Sequence, residues 1–369
     1  MCPSENPSSF QPLQNRLFDR EAGSDVTFLV GHGQDMWRFP GHRSVLSEAN
    51  PVFKAMLNFH ASSPEGVIPI GDVEGKAFDL LLRYLYKEDV HIQSVSTALS
   101  TLYAAQKYLC PGLMRHCICY LDQSLDVNNA LLIFVHIRFY TGQSKKASAP
   151  PMEHLDLPPD QDFEDMATLC KSLLHNCLLF IDNNAAQILV QEGLEDLPKD
   201  SLWEIVERDT LNAPEHIIYA AIERWSSLEC KRLCQELSPD NLRSILGDEI
   251  LFSVRYLLMT QREFFEGPMR GNLLTKAEVT ALFEHLHKMP VTFVPGTTIT
   301  EERLKKFREK RRPSRVSRIQ LGKKQSEDKK KWKEVKKKKK KNDKESSSKT
   351  CTGTCVFDYF FRALACILD

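Results

Sequence analysis

The chain has 369 residues, 42% of them hydrophobic, which is enough for two globular domains with sizeable cores. Its 49 basic and 49 acidic residues cancel but are segregated, because residues 301–350 hold 23 Lys and Arg against 8 Asp and Glu, whereas residues 1–300 carry a net charge of −14. No window approaches the roughly 18 consecutive apolar residues of a membrane-spanning helix, so we expect a protein that is soluble or at most peripherally anchored.

The cysteine content indicates a reducing compartment. The chain has 11 cysteines, an odd number, and its first 25 residues contain prolines and acidic residues but no apolar run. We therefore predict no secretory leader and expect free intracellular thiols. Residues 1–15 are rich in Pro and Ser and are predicted to be disordered.

The stretch 24–59 has the pattern of a strand hairpin followed by two short helices. Apolar residues of one strand face alternate along the chain at Val26, Phe28 and Val30. After a turn at residues 31–33, the period of two resumes at Trp37 and Phe39, and Pro40 predicts the end of strand pairing. The spacing then becomes helical at Val45, Leu46, Val52, Phe53, Met56 and Leu57.

Several ordered motifs resemble the BTB/POZ family. They are Asp25-Val26, Phe39-Pro40-Gly41-His42-Arg43-Ser44-Val45-Leu46, Pro51-Val52-Phe53, Ile70-Gly71-Asp72-Val73 and Leu82-Arg83-Tyr84-Leu85-Tyr86. The resemblance implies an α+β fold, a small mixed sheet flanked by helices over residues 16–124. It also implies a homodimer formed through this domain, to which Leu13, Leu17 and Phe18 would contribute apolar contacts.

The resemblance gives Asp25 and Arg43 a possible role in binding. In the family, their positions place opposite charges at the floor of the groove between two protomers, where some members bind partner peptides. The alternative is that Asp25 caps a strand end and Arg43 is a solvated helix residue. We interpret the neighbouring His42 as a hydrogen-bonded core histidine.

Three further apolar stripes at helical spacing follow over residues 74–86, 95–105 and 111–122, the last beginning at Pro111. Near its middle, His116, Cys117 and Cys119 raise the possibility of zinc. Neighbours at i and i+2 of a helix point in different directions, and no paired Cys-x-x-Cys set completes four ligands. We therefore predict no metal site and no cofactor.

Residues 125–294 have helical patterns throughout. The run 130–135 is apolar on nearly all sides, which predicts a buried helix, and a stripe runs from Met166 to Ile181. Helix starts are predicted at two capping boxes and two X-Pro pairs, namely Ser201 with Glu204, Thr275 with Glu278, Ala213-Pro214 and Ser238-Pro239.

Three segments of this region resemble the BACK domain that follows BTB in many adaptors. They are Gly193-Leu194-Glu195-Asp196-Leu197, the segment 206–212 and the segment 221–230. The match is closest to BTB–BACK proteins that carry a C-terminal PHR domain. Residues 141–160 depart from that pattern as a Pro-rich insertion, and a Lys-rich tail stands where the PHR domain would follow.

No catalytic constellation or Gly-rich phosphate loop stands out, so we do not predict an enzyme. The resemblance implies a substrate adaptor of a cullin-3 RING E3 ubiquitin ligase, acting on an unknown protein substrate. Many such adaptors carry a hydrophobic-x-Glu signature in the loop before the third strand, where this chain has Ser63 in the apolar position. The alternative is a dimerising scaffold without ligase activity, or a competitor of longer relatives.

The resemblance places the cullin contact on the loop Tyr86-Lys87-Glu88-Asp89, on the helix 111–122 and on the start of BACK. An aromatic beside charges suits a desolvated anchor surrounded by polar contacts. The alternative is a solvated loop.

The remainder is predicted to be a disordered Lys- and Arg-rich tail over residues 295–350 and a short apolar, Cys-containing end over 351–369. A nuclear or nucleic-acid role and attachment to anionic membranes both fit the run Lys336 to Lys341. Self-association with the acidic body and a solvated charge run are the alternatives. Cys366 stands where a prenylated cysteine would, although Asp369 is not a usual final residue. We expect a cytoplasmic protein with a nuclear fraction.

Overall fold

The computed structural model describes residues 23–33, 35–60, 66–141, 161–289 and 298–321, with 161–165 described by their backbone alone. These residues form two compact units. The first comprises the described residues up to Tyr120 together with Gln320 and Leu321, and the second runs from Leu121 to Ile319. The predicted order of a small mixed sheet with helices, followed by an all-helical region, is confirmed.

The first unit is built on a three-stranded sheet. Its elements in chain order are β1 (Val26–Val30), β2 (Trp37–Gly41), α1 (Arg43–Ala49), α2 (Pro51–Phe59), β3 (Val67–Ile70), α3 (Gly75–Leu85), α4 (Val95–Lys107) and the start of α5 (Pro111–Gln123). The strand order is β2-β1-β3, with β1 antiparallel to β2 and parallel to β3. The sheet is therefore mixed, as predicted. Its central strand places Phe28 opposite both Phe39 and Ile68.

The predicted end of strand pairing at Pro40 is wrong. Pro40 pairs with Thr27, and β2 continues to Gly41. Among the described strands β2 lies at an edge of the sheet, where a residue without an N–H group is tolerated because only one side of the strand is paired.

Aromatic side chains fill the core beneath the sheet. Phe28, Phe53 and Phe78 are fully buried, and the Phe28 ring centroid lies 5.7 Å from that of Phe53 and 5.5 Å from that of Phe78. Asn50 begins α2, since its Oδ1 accepts the Val52 N–H at 2.9 Å while its Nδ2 donates to the Tyr108 carbonyl at 2.8 Å. One buried amide thus caps a helix and ties it to the end of α4.

The described part of the second unit is all helical. Its α-helices are α6 (Ala130–Tyr140), α7 (Gln161–Asn183), α8 (Ala185–Ile188), α9 (Lys199–Val206), α10 (Glu215–Arg232), α11 (Pro239–Leu246), α12 (Asp248–Leu251), α13 (Gln261–Glu266), α14 (Lys276–Leu286) and α15 (Glu301–Arg308). Short 3-10 helices occupy Leu194–Asp196 and Tyr256–Leu258. Trp225 is buried in the middle of α10 and donates its indole N–H to the Leu197 carbonyl at 2.9 Å.

Two of the predicted helix starts are confirmed, at Thr275 with its capping box and at Ser238-Pro239. Helix α10 begins one residue later than expected, with Pro214 as its N-cap. The capping box at Ser201 is wrong, because Ser201 lies inside α9 and its hydroxyl accepts a hydrogen bond from Arg138 at 2.8 Å.

The prediction that α6 is buried all round is also wrong. Leu132 and Phe139, seven residues apart and therefore on one face, are 44% and 75% exposed. A run that is apolar on every side cannot reveal by its pattern which face the neighbouring helices leave uncovered.

The predicted disordered tail is wrong for residues 298–321, which are folded against the second unit up to Ile319. Phe307 on α15 is fully buried, with its ring centroid 5.4 Å from that of Tyr256. One aromatic and a few paired arginines hold this segment, and a prediction from average charge misses such specific contacts.

Among the described residues, no helix combines the length and apolar character needed to cross a membrane. Several sequence-based predictions fall outside the described residues. They concern Leu13, Leu17 and Phe18, the loop with Ser63, nearly all of the insertion 141–160, the run Lys336 to Lys341 and Cys366.

Candidate protein-interaction site

Asp25 and Arg43 meet at the start of α1. The Asp25 carboxylate accepts the backbone N–H of Arg43 at 2.7 Å, where helix α1 begins and a negative charge is favoured. The Arg43 guanidinium donates to the Asp25 carbonyl at 3.3 Å and to the Leu57 carbonyl at 3.0 Å. Arg43 therefore joins the entry of β1 to the C-terminal end of α2, while Asp25 stays exposed.

Tyr86, the C-terminal cap of α3, reaches the same place. Its hydroxyl accepts the backbone N–H of His42 at 2.9 Å and lies 2.9 Å from Nδ1 of that residue. Burial raises the pKa of the Tyr86 hydroxyl, and the charge of nearby Asp25 adds to the rise. Since His42 precedes Arg43, the structure joins Tyr86 to the predicted pair Asp25 and Arg43. We call Asp25, His42, Arg43 and Tyr86 the His42 cluster.

Lys87 and Glu88 close helix α3 in a Schellman motif. The Lys87 N–H donates to the Tyr84 carbonyl at 3.0 Å and the Glu88 N–H donates to the Arg83 carbonyl at 2.9 Å. Lys87 has a φ of 61° and is exposed. Glu88 is turned inward, with one carboxylate oxygen 3.3 Å from Arg83 Nη1 and the other, Oε1, buried without a hydrogen-bond partner in the described residues.

Phe59 is a residue that our sequence reasoning missed. It is 81% exposed at the last position of α2, two residues after the carbonyl that Arg43 holds, and its ring lies 5.2 Å from that of His60. Its spacing from Val52 is seven residues, so periodicity assigns it to the apolar face of the helix. The structure shows instead that the core ends before Phe59.

The helix α5 packs closely on α3 through Gly112, where an added Cβ would clash with the Tyr84 hydroxyl oxygen. Cys117 and Cys119 point inward and His116 is exposed, so the three side chains do not converge. Burial raises the pKa of both Cys110 and Cys117 to about 12, which keeps these thiols protonated at neutral pH. Within the described residues, no three His, Cys, Asp or Glu side chains are grouped as metal ligands.

The described part of the second unit exposes a separate apolar strip on α6, formed by Leu132 and Phe139. Next to Phe139, Arg138 turns away to pair with Glu204 at 2.7 Å and to bond Ser201. Arg138 is thus paired within the second unit, whereas Phe139 is exposed to solvent.

Two family models match the chain. The model described as the BTB/POZ domain matches residues 14–125, and the model described as BTB And C-terminal Kelch, or BACK, matches residues 165–266. The His42 cluster, Phe59, Lys87 and Glu88 all fall within the first match.

The chain is also similar to curated BTB proteins. It is 32% identical over 284 residues to BTB/POZ domain-containing protein 6 of Xenopus laevis, covering 76% of this chain and 48% of that protein. The identity is also 32% over 267 residues with the human proteins of the same name and of BTB/POZ domain-containing protein 3, at 72% of this chain and 44% and 45% of theirs. The chain thus spans about half the length of the curated relatives it matches.

Proposed function

Because the chain belongs to the BTB–BACK proteins, a family of protein-interaction adaptors, we propose that it is a dimeric substrate adaptor of a cullin-3 RING ubiquitin ligase. The observation that carries the proposal is the exposed Phe59 beside the His42 cluster. A solvent-exposed aromatic next to charged groups fixed by hydrogen bonds suits an interface hot spot, in which an apolar anchor is desolvated within a polar rim.

In this proposal Phe59 is the anchor, and Asp25 and Lys87 supply exposed charges around it. Tyr86 and Glu88 are engaged in contacts within the unit, so their role is to position the rim. Phe59 would also supply the apolar contact that Ser63 lacks, since it lies four residues before that loop position. On the second unit, the strip formed by Leu132 and Phe139 is a further candidate contact for the cullin.

The test is binding of the full chain to the purified N-terminal domain of cullin-3. We expect Phe59→Ala to weaken binding at least tenfold, because losing a buried aromatic hot spot costs roughly 2 kcal/mol or more. Phe265→Ala is the matched control, since Phe265 is also exposed, at 47%, but lies on α13 of the second unit. Equal effects of the two substitutions would rule out Phe59 as the anchor.

The same experiment separates the alternative function. A chain that shows no cullin binding, yet forms dimers, would be a scaffold without ligase activity or a competitor of longer relatives. Light scattering on the 42.3 kDa chain tests dimerisation, with a mass near twice that value expected at micromolar concentration. The protein substrate would then be sought by crosslinking in cells.

We propose in addition that the basic residues beyond 321 direct the protein to nucleic acid or anionic membranes, giving a cytoplasmic protein with a nuclear fraction. The high Lys content of residues 322–350 supports this. A fluorescent fusion of residues 322–369 should concentrate in the nucleus or at membranes. Cys366→Ser tests whether lipidation contributes, and an evenly diffuse signal from the unmodified fusion would contradict the proposal.

A further inference from the structure

A basic concavity lies on the second unit, and none of the candidate interaction residues lines it. It measures about 1300 Å³ and is lined by Thr210 and by the eight consecutive residues Arg308–Arg315. Four of the lining side chains, those of Arg308, Lys310, Arg312 and Arg315, are cationic and exposed. We call this concavity the basic basin.

The backbone that forms the basin is anchored by Arg311, which points inward. Its guanidinium pairs with Glu215 at 2.8 Å, both side chains being 6% exposed. It also donates to the carbonyls of Val206, Arg208 and Ser253 at 2.9, 2.7 and 2.9 Å. Because every guanidinium nitrogen of Arg311 donates a hydrogen bond within the unit, this residue holds the segment in place and does not face a ligand.

The flanking residues are held as well. The Arg312 N–H donates to the Asp209 carbonyl at 2.8 Å, and Arg255, 3% exposed, donates to the Glu309 carbonyl at 2.7 Å. Further along, the buried Asn176 amide accepts the Ile319 N–H at 2.8 Å and donates to its carbonyl at 2.8 Å. The segment is therefore fixed on both sides of the basin, so its exposed cations need little ordering when a ligand binds.

The charge in the basin is only partly compensated. Among its lining residues the one carboxylate is that of the exposed Glu309, against the four exposed cations. In the described parts of the chain, no ion pair within 4 Å joins Lys310, Arg312 or Arg315 to a carboxylate, and the nearby Asp209 and Glu215 are paired with Arg255 and Arg311.

Arg308 and Ser314, near the two ends of the basin, add hydrogen-bond donors. Arg308 lies 3.3 Å from His285 Nδ1, and burial together with the charge of Arg308 lowers the pKa of that histidine. The Ser314 hydroxyl accepts the Val316 N–H at 3.2 Å, which leaves its own hydrogen free to donate.

We propose that the basic basin binds a small molecule carrying two or more phosphate groups. Guanidinium groups match phosphate oxygens with paired N–H donors, and lysine adds a mobile point charge. At about 1300 Å³ the basin is larger than the roughly 300–1,000 Å³ that ligand pockets commonly enclose, so it has room for a compact polyanion. The inference is independent of the proposed adaptor function.

The test is calorimetric titration of the full chain with inorganic tripolyphosphate at physiological salt. The triple variant Lys310→Ser, Arg312→Ser, Arg315→Ser should bind at least tenfold more weakly. The control Lys276→Ser, Lys305→Ser, Lys306→Ser makes the same change in net charge at exposed positions outside the basin, and should stay within twofold of the unmodified chain. Unfolding curves of both variants establish that the second unit remains folded.

Further titrations test whether the paired guanidinium donors matter and whether the phosphates belong to a lipid or to a soluble ligand. Arg312→Lys keeps the charge but loses the paired donors, so it should weaken binding several-fold. Vesicles containing phosphatidylinositol bisphosphate and free inositol hexakisphosphate distinguish a lipid headgroup from a soluble ligand, and either result supports the site if the basin variant abolishes it.

Three results would overturn the proposal. They are no binding by the unmodified chain, equal losses in the two triple variants, and a 20-nucleotide RNA that binds through the basin more tightly than tripolyphosphate.

Discussion

At the scale of single residues, Tyr86 shows how a predicted contact residue is also a structural one. Its hydroxyl satisfies the backbone N–H of His42 just before helix α1, so it links the end of α3 to the start of α1. Truncating the whole side chain would alter this link and any partner surface at once. Removing only the hydroxyl isolates the internal role.

We predict that Tyr86→Phe destabilises the chain by about 1 kcal/mol, because the half-buried His42 N–H loses its acceptor. Urea denaturation measures the loss. Tyr103→Phe is the control, since the exposed Tyr103 hydroxyl makes one longer bond of 3.3 Å to Asp72, and it should change stability by less than about 0.5 kcal/mol. Equal stabilities of Tyr86→Phe and the unmodified chain would show that the hydrogen bond contributes nothing.

Glu278 is a buried carboxylate that forms an ion pair with Arg243. Its carboxylate is 1% exposed and receives both Nη atoms of Arg243, at 2.6 and 2.9 Å, as well as the Thr275 N–H at 2.9 Å. Burial alone would raise the pKa of Glu278, but the hydrogen bonds from Arg243, Thr298 and Thr275 outweigh it and hold the pKa below its usual value. The carboxylate is therefore charged in the folded protein at neutral pH.

We predict that Glu278→Gln destabilises the second unit by about 2–3 kcal/mol at pH 7, because Arg243 loses its main partner. A carboxyl whose pKa falls on folding stabilises the protein above the unfolded pKa, near 4.5, and this contribution is lost as the pH falls through the folded value. The difference between variant and unmodified chain should therefore shrink below about pH 4.5.

Glu266→Gln provides the control for this pH series in urea. Glu266 is 55% exposed and pairs with Arg262 on one face of α13. Its replacement should cost less than about 0.5 kcal/mol at every pH. A Glu278→Gln effect that did not vary with pH would contradict the role given to the carboxylate charge.

At the scale of elements, four of the described helices end in Schellman motifs without glycine. The residues in the left-handed conformation are Lys87, Leu109, Cys234 and Lys288, with φ between 51° and 61°. Each donates its N–H to the carbonyl three residues earlier, and the next residue donates to the carbonyl five residues before it. Each of these helices therefore ends at a conformational cost that glycine would avoid.

We predict that Lys87→Gly stabilises the first unit by about 0.5–1 kcal/mol, because glycine adopts a positive φ without strain. Thermal denaturation should show a higher midpoint. Lys54→Gly is the matched control, because Lys54 is also exposed but lies inside α2, where glycine should cost about 1 kcal/mol. Destabilisation by both substitutions would mean that the left-handed residue carries no strain.

At the scale of the whole molecule, the segment 298–319 completes the second unit from a distant part of the sequence. Phe307 packs on Phe252 and Tyr256, and Arg311 pairs with Glu215 across 96 positions of the chain. The segment thus contributes both an apolar and a charged contact to the interior.

We predict that Arg311→Gln destabilises the second unit by about 3 kcal/mol, since it leaves the Glu215 carboxylate buried without its cation. Hydrogen exchange should show faster exchange throughout residues 301–319. Arg312→Gln changes the next arginine, which is exposed, and should shift stability by less than about 0.5 kcal/mol. Similar effects at the two positions would indicate that the segment is not held by Arg311.

The sequence by itself determined the hairpin, most helices of both units and the family, because these depend on local periodicity and on ordered motifs. Period-two alternation identified β1, and helical stripes identified α3, α4 and α5. The capping box at Thr275 was predictable since both of its partners lie within four residues. The similar pattern at Ser201 failed because Arg138, 63 positions away, takes the hydroxyl instead.

Only the tertiary structure decided which side chains are buried, paired or exposed. Asp25 and Arg43 are 18 positions apart, and Tyr86 is 44 positions from His42, so no local pattern could join them in one cluster. Phe59 reads as a core residue and is exposed, whereas Arg311 reads as a solvated charge and is buried. Burial of a charge depends on a partner brought from elsewhere in the chain, and exposure of an apolar side chain depends on where the core ends.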